Sequence, residues 1–194
     1  MAVHDGLEGA YDGEAVGSLA ARAMVPCLEV HAELTSALDR AHLLGASGTP
    51  AGTVVVADRQ TAGRGRLGRV WHSEAGTGVW VALVERPSDT VALGVLSLRL
   101  GLAVAEALAP HSSSPIRLKW PNDLWTAAGK LAGVLVEARW RGSALEWVAI
   151  GVGVNVRPRG ADPVVAGLDA GTRRPDVLSG CVARCARRPH GRAV

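Results

Sequence analysis

The chain reads as an α+β domain with a mixed, largely antiparallel sheet and flanking helices. Three observations predict this class. Its 194 residues are 48% hydrophobic, enough to bury a full core and too apolar for a disordered chain. In the second half, three strand-type runs at 116–120, 131–139 and 144–154 are separated only by short turns, the pattern of an antiparallel meander. Helical and strand periods do not alternate in the strict β-α-β-α order that a doubly wound sheet requires.

Residues 1–27 are polar and irregular, and read as a lead-in to a domain spanning 28–172. Ser36 suits a helix N-cap, and Leu38, Ala41 and Leu44 follow at helical spacing up to Gly45. The β-branched run 53–57 predicts a strand, and 79–84 predicts its neighbour. From Leu96 to Leu108 the apolar spacing is again helical, and Pro110 ends it. The three later runs complete the sheet, with turns at Pro121-Asn122-Asp123, at Gly129 and at Arg141-Gly142-Ser143. The six tryptophans fall mostly on strands and read as core or sheet packing. Residues 173–194 read as a basic tail, with nothing strand-like after Val177.

Charge is informative by its distribution. The net +3 comes from the tail, which carries six arginines against one acid. Without it 15 Lys+Arg face 17 Asp+Glu, a net −2, so bulk charge gives no support for nucleic-acid binding. No apolar run reaches the length expected of a membrane span. Residues 1–15 hold Asp5, Glu8, Asp12 and Glu14 and no Lys or Arg, the reverse of a secretory leader, which predicts a cytoplasmic location. Three scattered cysteines do not make a disulfide framework, and Cys181, Cys185 and His190 lack a fourth neighbour for zinc. His31, His42, His72 and His111 have no Cys or Asp partners at catalytic spacing, and no Gly-x-Ser-x-Gly elbow is present.

The most informative stretch is Gly63-Arg64-Gly65-Arg66-Leu67-Gly68-Arg69, directly after the strand at 53–57. Glycine lets backbone N–H groups approach an anion closely, and arginine grips oxyanions with a planar fork. The spacing Gly63-x-Gly65-x-x-Gly68 also matches the dinucleotide-binding motif, with Glu85 at the end of the next strand. That motif needs a helix opening at the glycines, and residues 70–78 have no helical period, so the match is rejected. A second cluster is Lys119-Trp120-Pro121-Asn122-Asp123-Leu124, followed by Gly129-Lys130-Leu131-Ala132-Gly133. It places two lysines and a carboxylate around one turn, and Asp123 suits a hydrated Mg²⁺. By itself the same stretch also reads as a hairpin with two surface lysines.

Together, the segments Gln60 to Arg69, Lys119 to Leu124, Gly129 to Gly133 and Gly151-Val-Gly-Val-Asn155 stand in the order seen in biotin–protein ligases. The resemblance runs from about Val30 to about Val156 and implies the class II synthetase-like catalytic domain of the biotin/lipoate ligase superfamily. It implies ATP-dependent formation of biotinyl-5′-AMP, then transfer of biotin to a lysine of a carboxylase's biotin carrier domain. ATP and biotin are then substrates and Mg the metal. Motif by motif, Arg64, Gly65 and Arg66 would wrap the acyl-phosphate, beside Gly63, with Arg66 and Lys130 as the catalytic charges. Ser36 and Gln60 would meet biotin. Lys119 and Asp123 would handle phosphates and magnesium, Asn155 would sit near the nucleotide, and Asn122 and Gly133 would belong to the substrate-binding set.

Where such ligases usually carry Ser-Thr-Asn at the first helix, this chain has Ser36-Ala37-Leu38. A lost hydrogen bond to a buried polar ligand group costs roughly 1–3 kcal/mol. A lipoyl or octanoyl ligase or transferase, whose acyl groups need no such partners, therefore stays open as an alternative, as does a non-catalytic adenylate-binding remnant. The lead-in is too short for the helix-turn-helix domain of bifunctional members, and the tail lacks the family's C-terminal barrel, so no DNA and no membrane partner is expected.

Overall fold

The central strands are the most apolar stretches of the chain, and they set the order of the sheet. The computed structural model describes residues 9–87, 90–158 and 164–187. Among these, β4 (Thr53–Gln60), β5 (Gly78–Glu85) and β9 (Ala144–Asn155) lie side by side, and every residue of β5 is buried. Val81 of β5 stands opposite Val56 of β4 and Val152 of β9, a β-branched row of the kind that packs well on a pleated surface. The seven-stranded sheet has the order β3-β4-β5-β9-β8-β7-β6. β3 (Cys27–Leu34) runs parallel to β4 through the crossover helix α2 (Ala37–Ala46), and every other pair is antiparallel. β6 (Arg117–Lys119), β7 (Asp123–Thr126), β8 (Gly129–Arg141) and β9 form the predicted meander.

The period of two divides the strands between two cores. Val54, Val56, Leu83, Ile150 and Val152 face α1 (Val16–Ala23), α3 (Leu96–Leu108) and α4 (Arg174–Arg187). Val55, Ala82, Val84 and Ala149 face the other side, where Ala37, Leu38, Ala41 and Leu44 of α2 cover them. Each fully buried Leu or Val contributes about 1.5–3 kcal/mol, so the layering outweighs any single polar contact.

Four expectations need correction. Residues 1–27 are not irregular throughout: β1 (Ala10–Tyr11) and β2 (Glu14–Ala15) form a short hairpin, and α1 follows. An eight-residue helix is marginal alone; α1 exists because Leu19 and Ala23, one turn apart, bury against the core. The tail to residue 187 is the helix α4, whose Val177, Leu178, Cys181, Val182 and Cys185 make a buried stripe. Its arginines had masked that period, and His190 lies outside the described residues. Asp123, read as part of a turn, instead opens β7 (Asp123–Thr126), a fourth meander strand in the connection before 131, because the ladder to β8 closes there. Finally, Leu93–His111 is apolar enough over 19 residues to cross a bilayer by length and composition. Here its Leu100, Val104 and Leu108 are buried in the core.

One buried cation ties the two ends of the described chain to the sheet. Arg174, at the start of α4, is only 4% exposed. Its guanidinium donates to both Asp12 carboxylate oxygens, to Asp58 and, at 3.3 Å, to the Gly78 carbonyl, and its Cζ lies 4.7 Å from the Tyr11 ring centroid. The Arg174 hydrogen bond holds the Asp12 carboxyl below the usual carboxylate range. Arg174→Ala removes the cation and leaves two carboxylates facing each other, so unfolding in urea should show a loss near the lower end of about 3–5 kcal/mol. Because the folded-state pKa of Asp12 is depressed, its share of stability is present above the unfolded value and lost as pH falls through the folded one. The difference between wild type and variant should therefore shrink below about pH 4.

Candidate functional site

The site begins with side chains that are missing. On the α2 side of the sheet Gly133 of β8 stands opposite Gly153 of β9, and Gly151 stands opposite Leu135. A Cβ at 153 would lie 2.7 Å from the Trp71 ring, and one at 151 would lie 2.9 Å from Leu38. The glycines thus let an indole and a leucine lie flat on the strands. Above this floor is a cleft of about 350 Å³, within the range of small-molecule sites. Its walls are the N-terminus of α2, the loop after β4, the turn between β6 and β7, and the start of β8.

The loop after β4 is a hairpin. Gln60 N–H donates to the Ser73 carbonyl at 3.0 Å, Trp71 N–H to Gly63 at 2.9 Å, and Gly65 N–H to Arg69 at 2.8 Å. The tip is a single 3₁₀ turn, Arg66–Gly68, with Leu67 at φ 58° and Gly68 at φ 71°. No α-helix opens at the glycines, as the rejected dinucleotide reading required. Glu85 is buried at the end of β5, where burial pushes its carboxyl up to about 7.

The cations around the cleft are held differently. Arg64 is bound to the protein on three sides, by Glu137 at 3.0 and 2.9 Å and by Asp39 at 2.7 Å. Arg66 is exposed at the tip, and its guanidinium has no ion pair among the described residues. Lys130 Nζ lies 2.8 Å from Asp123 and 4.9 Å from the Trp71 ring centroid, and Lys119 Nζ sits 4.2 Å from that of Trp125. At the other end Ser36 caps α2, accepting from Leu38 N–H at 3.2 Å. Gln60 accepts from Ala37 N–H at 2.8 Å and donates to Ser73 at 2.8 Å.

Ser36, Gln60, Arg64, Gly65, Arg66, Lys119, Asn122, Asp123, Lys130 and Gly133 all line this one cleft. Asn122 closes its turn by donating to the Val134 carbonyl at 2.9 Å. Gly63 and Asn155 stand outside the lining. Gly63 shapes the hairpin, since a Cβ there would lie 2.4 Å from the Trp71 carbonyl, and Asn155 donates to the Lys130 carbonyl at 3.1 Å. The described residues contain no group of three His, Cys, Asp or Glu able to hold a metal ion, and Cys181 and Cys185 are buried in the core. Asp123 is thus a lone carboxylate, sufficient for Mg²⁺ only with a ligand's phosphates completing the shell.

Sequence reasoning missed three residues here. Trp71 packs on the sheet as read, but there it floors the cleft, whereas Trp120 is 73% exposed at the rim, against the reading of the tryptophans as packing. His42 pairs with a glutamate, Glu137 at 2.7 Å, as His31 does with Glu29 at 3.1 Å, a residue type that a search for Cys or Asp partners passes over. Strand alternation gave the one available signal, because it puts Glu137 on the same face as Gly133 and Leu135.

A glycine-floored cleft walled by arginine, lysine and a capped helix places this chain among α+β domains with a cationic small-molecule cleft on one face of the sheet. The chain belongs to the biotin/lipoate A/B protein ligase family, whose model matches residues 34–155. It is 39% identical over 133 residues to the bifunctional ligase/repressor BirA of Bacillus subtilis, covering 68% of this chain and 41% of that protein. It is 42% identical over 133 residues to the biotin--[acetyl-CoA-carboxylase] ligase of Mycobacterium tuberculosis, covering 64% and 48%. The chain thus spans less than half the length of these two relatives. Among solved structures, the biotin protein ligase of Aquifex aeolicus in complex with biotin and ATP superposes with a TM-score of 0.73 at 32% identity, over 84% of this chain and 70% of that one. The fold is that of a biotin protein ligase catalytic domain.

The floor makes a graded prediction. Gly153→Ala should lose about 1–3 kcal/mol through overpacking against Trp71. Gly133→Ala, whose Cβ would meet the same ring at 3.2 Å, should lose less. In a urea double-mutant cycle, Trp71→Ala should recover most of the Gly153→Ala loss.

Proposed function

We propose that this chain is an ATP-dependent biotin–protein ligase that forms biotinyl-5′-AMP and passes biotin to a lysine of a carboxylase's biotin carrier domain. The observation that carries the reading is that Arg66 and Lys130, from separate motifs, line one cleft over a bare sheet floor. In the first step a carboxylate oxygen of biotin bonds to the α-phosphorus of ATP. The bond from that phosphorus to the bridging oxygen breaks, and pyrophosphate leaves with the electron pair. Both reactants are anions, so catalysis depends on fixed positive charge between them. Arg66, whose guanidinium has no partner among the described residues, is available to the carboxylate and α-phosphate. Lys130 faces the same space and exchanges its Asp123 partner for phosphate oxygen when nucleotide arrives. Asp123 would be the protein carboxylate that holds Mg²⁺ together with the nucleotide, and the ion would there supply neutralisation of phosphate charge. In the second step the acceptor lysine amine attacks the acyl carbon, AMP departs, and the amine loses its proton to solvent.

The names of the relatives support biotin as the acid, and a cytoplasmic location fits the use of ATP. A lipoyl or octanoyl substrate is favoured by one observation: Ala37 and Leu38 are buried in an apolar cluster with Leu135 and Trp147, at the end of the cleft where Ser36 and Gln60 are already bonded to the protein. Pyrophosphate release with biotin and ATP, with lipoate and octanoate as competing acids, decides between them. In that assay Arg66→Ala and Lys130→Ala should each lose about 3–4 kcal/mol of transition-state stabilisation, with unchanged circular dichroism. Wild-type rates in either variant would remove the assignment.

A further inference from the structure

Arg64 and Arg66 are two residues apart, yet the fold treats them oppositely. The Arg66 guanidinium has no partner among the described residues, whereas Arg64 Nε and Nη2 form a two-pronged pair with Glu137 and Nη1 reaches Asp39. Glu137 in turn lies 2.7 Å from His42 Nε2, and Trp147 Nε1–H donates to His42 Nδ1 at 3.1 Å. An indole nitrogen can only donate, so His42 Nδ1 must accept, and the imidazole proton belongs on Nε2, directed at Glu137. Three donors, two from Arg64 and one from His42, therefore converge on one carboxylate. The Arg64 hydrogen bond holds the Glu137 carboxyl below the usual range, and Glu137 in turn raises the Arg64 guanidinium above its own. The far end of the relay is fixed by packing, since the Trp147 ring lies against Gly45 of α2, where a Cβ would stand 2.6 Å away.

We propose that Glu137, oriented by His42 and Trp147, is a positioning residue for the adenylation reaction. It fixes Arg64, which pairs with Val70 across the hairpin stem, and the fixed stem holds the tip so that Arg66 is presented to the cleft. Arg64 is thus an anchor, and Arg66 alone of the two is available to the ligand. The role in catalysis rests on the ligase reading above; the role in holding the hairpin does not.

Glu137→Gln keeps the shape but turns an amide donor toward Arg64 or His42. Pyrophosphate release with biotin and ATP should lose about tenfold to a hundredfold, chiefly in kcat with KM for ATP little changed, because a misplaced charge costs rate more than nucleotide affinity. Arg64→Ala should show a similar loss, and the double variant Arg64→Ala/Glu137→Gln no further loss. Hydrogen exchange across residues 60–73 should accelerate in each variant, while β4 and β5 keep wild-type protection. His42→Gln, which retains a donor at the Nε2 position, should recover most of the activity that His42→Ala loses. Additive losses, unchanged exchange across 60–73, or equal activity of His42→Gln and His42→Ala would overturn the proposal. If Glu137→Gln fails to fold in a thermal melt, the two His42 variants carry the same test. If wild type releases no pyrophosphate with biotin, the ligase reading fails and takes the catalytic role with it, while exchange still judges the hairpin role.

Discussion

The cleft depends on a gap in the side-chain pattern of the sheet. At 133, 151 and 153 adjoining strands present hydrogen on the α2 face, in the middle of a sheet whose other face is filled with valine, leucine and isoleucine. Glycine within a strand costs roughly 0.5–1 kcal/mol of conformational entropy each, so the arrangement is unfavourable in isolation. It is offset by what the vacancy admits: Trp71 lies on Gly153 and Gly133, Leu38 lies on Gly151, and Trp71 meets Trp80 edge-on at 6.3 Å. The loop hairpin and α2 are seated on the sheet through these contacts. Filling the gap would lift both walls of the cleft.

The charges are arranged on a second principle. Desolvated ion pairs seldom add much net stability, because the attraction mainly repays the loss of water. Their value at this site is geometric. Arg64 is neutralised by Glu137 and Asp39, and Lys130 by Asp123. Positive potential is therefore concentrated at the exposed hairpin tip rather than spread along the loop. Lys130 differs from Arg64 in having a single carboxylate partner, at a quarter-exposed position, so a competing anion displaces it at low cost.

Much of this was legible in the sequence. The periods of α2, α3, β5, β8 and β9 were plain, and the motifs named residues that meet in one cleft. What escaped has physical causes. β3 carries Glu29, His31 and Glu33 and sits at the sheet edge, so its strand period is diluted by charge. α4 reads as a basic tail because its arginines stand out more than the apolar stripe beneath them. His42 and Glu137 are 95 residues apart, and only the crossover of α2 over the sheet brings them together. A histidine judged by its sequence neighbours cannot reveal such a partner.

The Arg174 contact bears on how the chain is made. Its carboxylate partner Asp12 lies 162 positions earlier, and Asp58 lies 116 earlier. During synthesis at roughly 5–20 residues per second, the N-terminal hairpin emerges long before the guanidinium that binds it. Strands β3, β4 and β5 can pair while translation continues, but the face later covered by α4 stays open until residue 174 has cleared the ribosome. For that interval the part of this apolar face that α4 covers is open to solvent, while α1 and α3 are already available to the rest. The Arg174 clasp is thus among the last long-range contacts of the described chain that can form during synthesis.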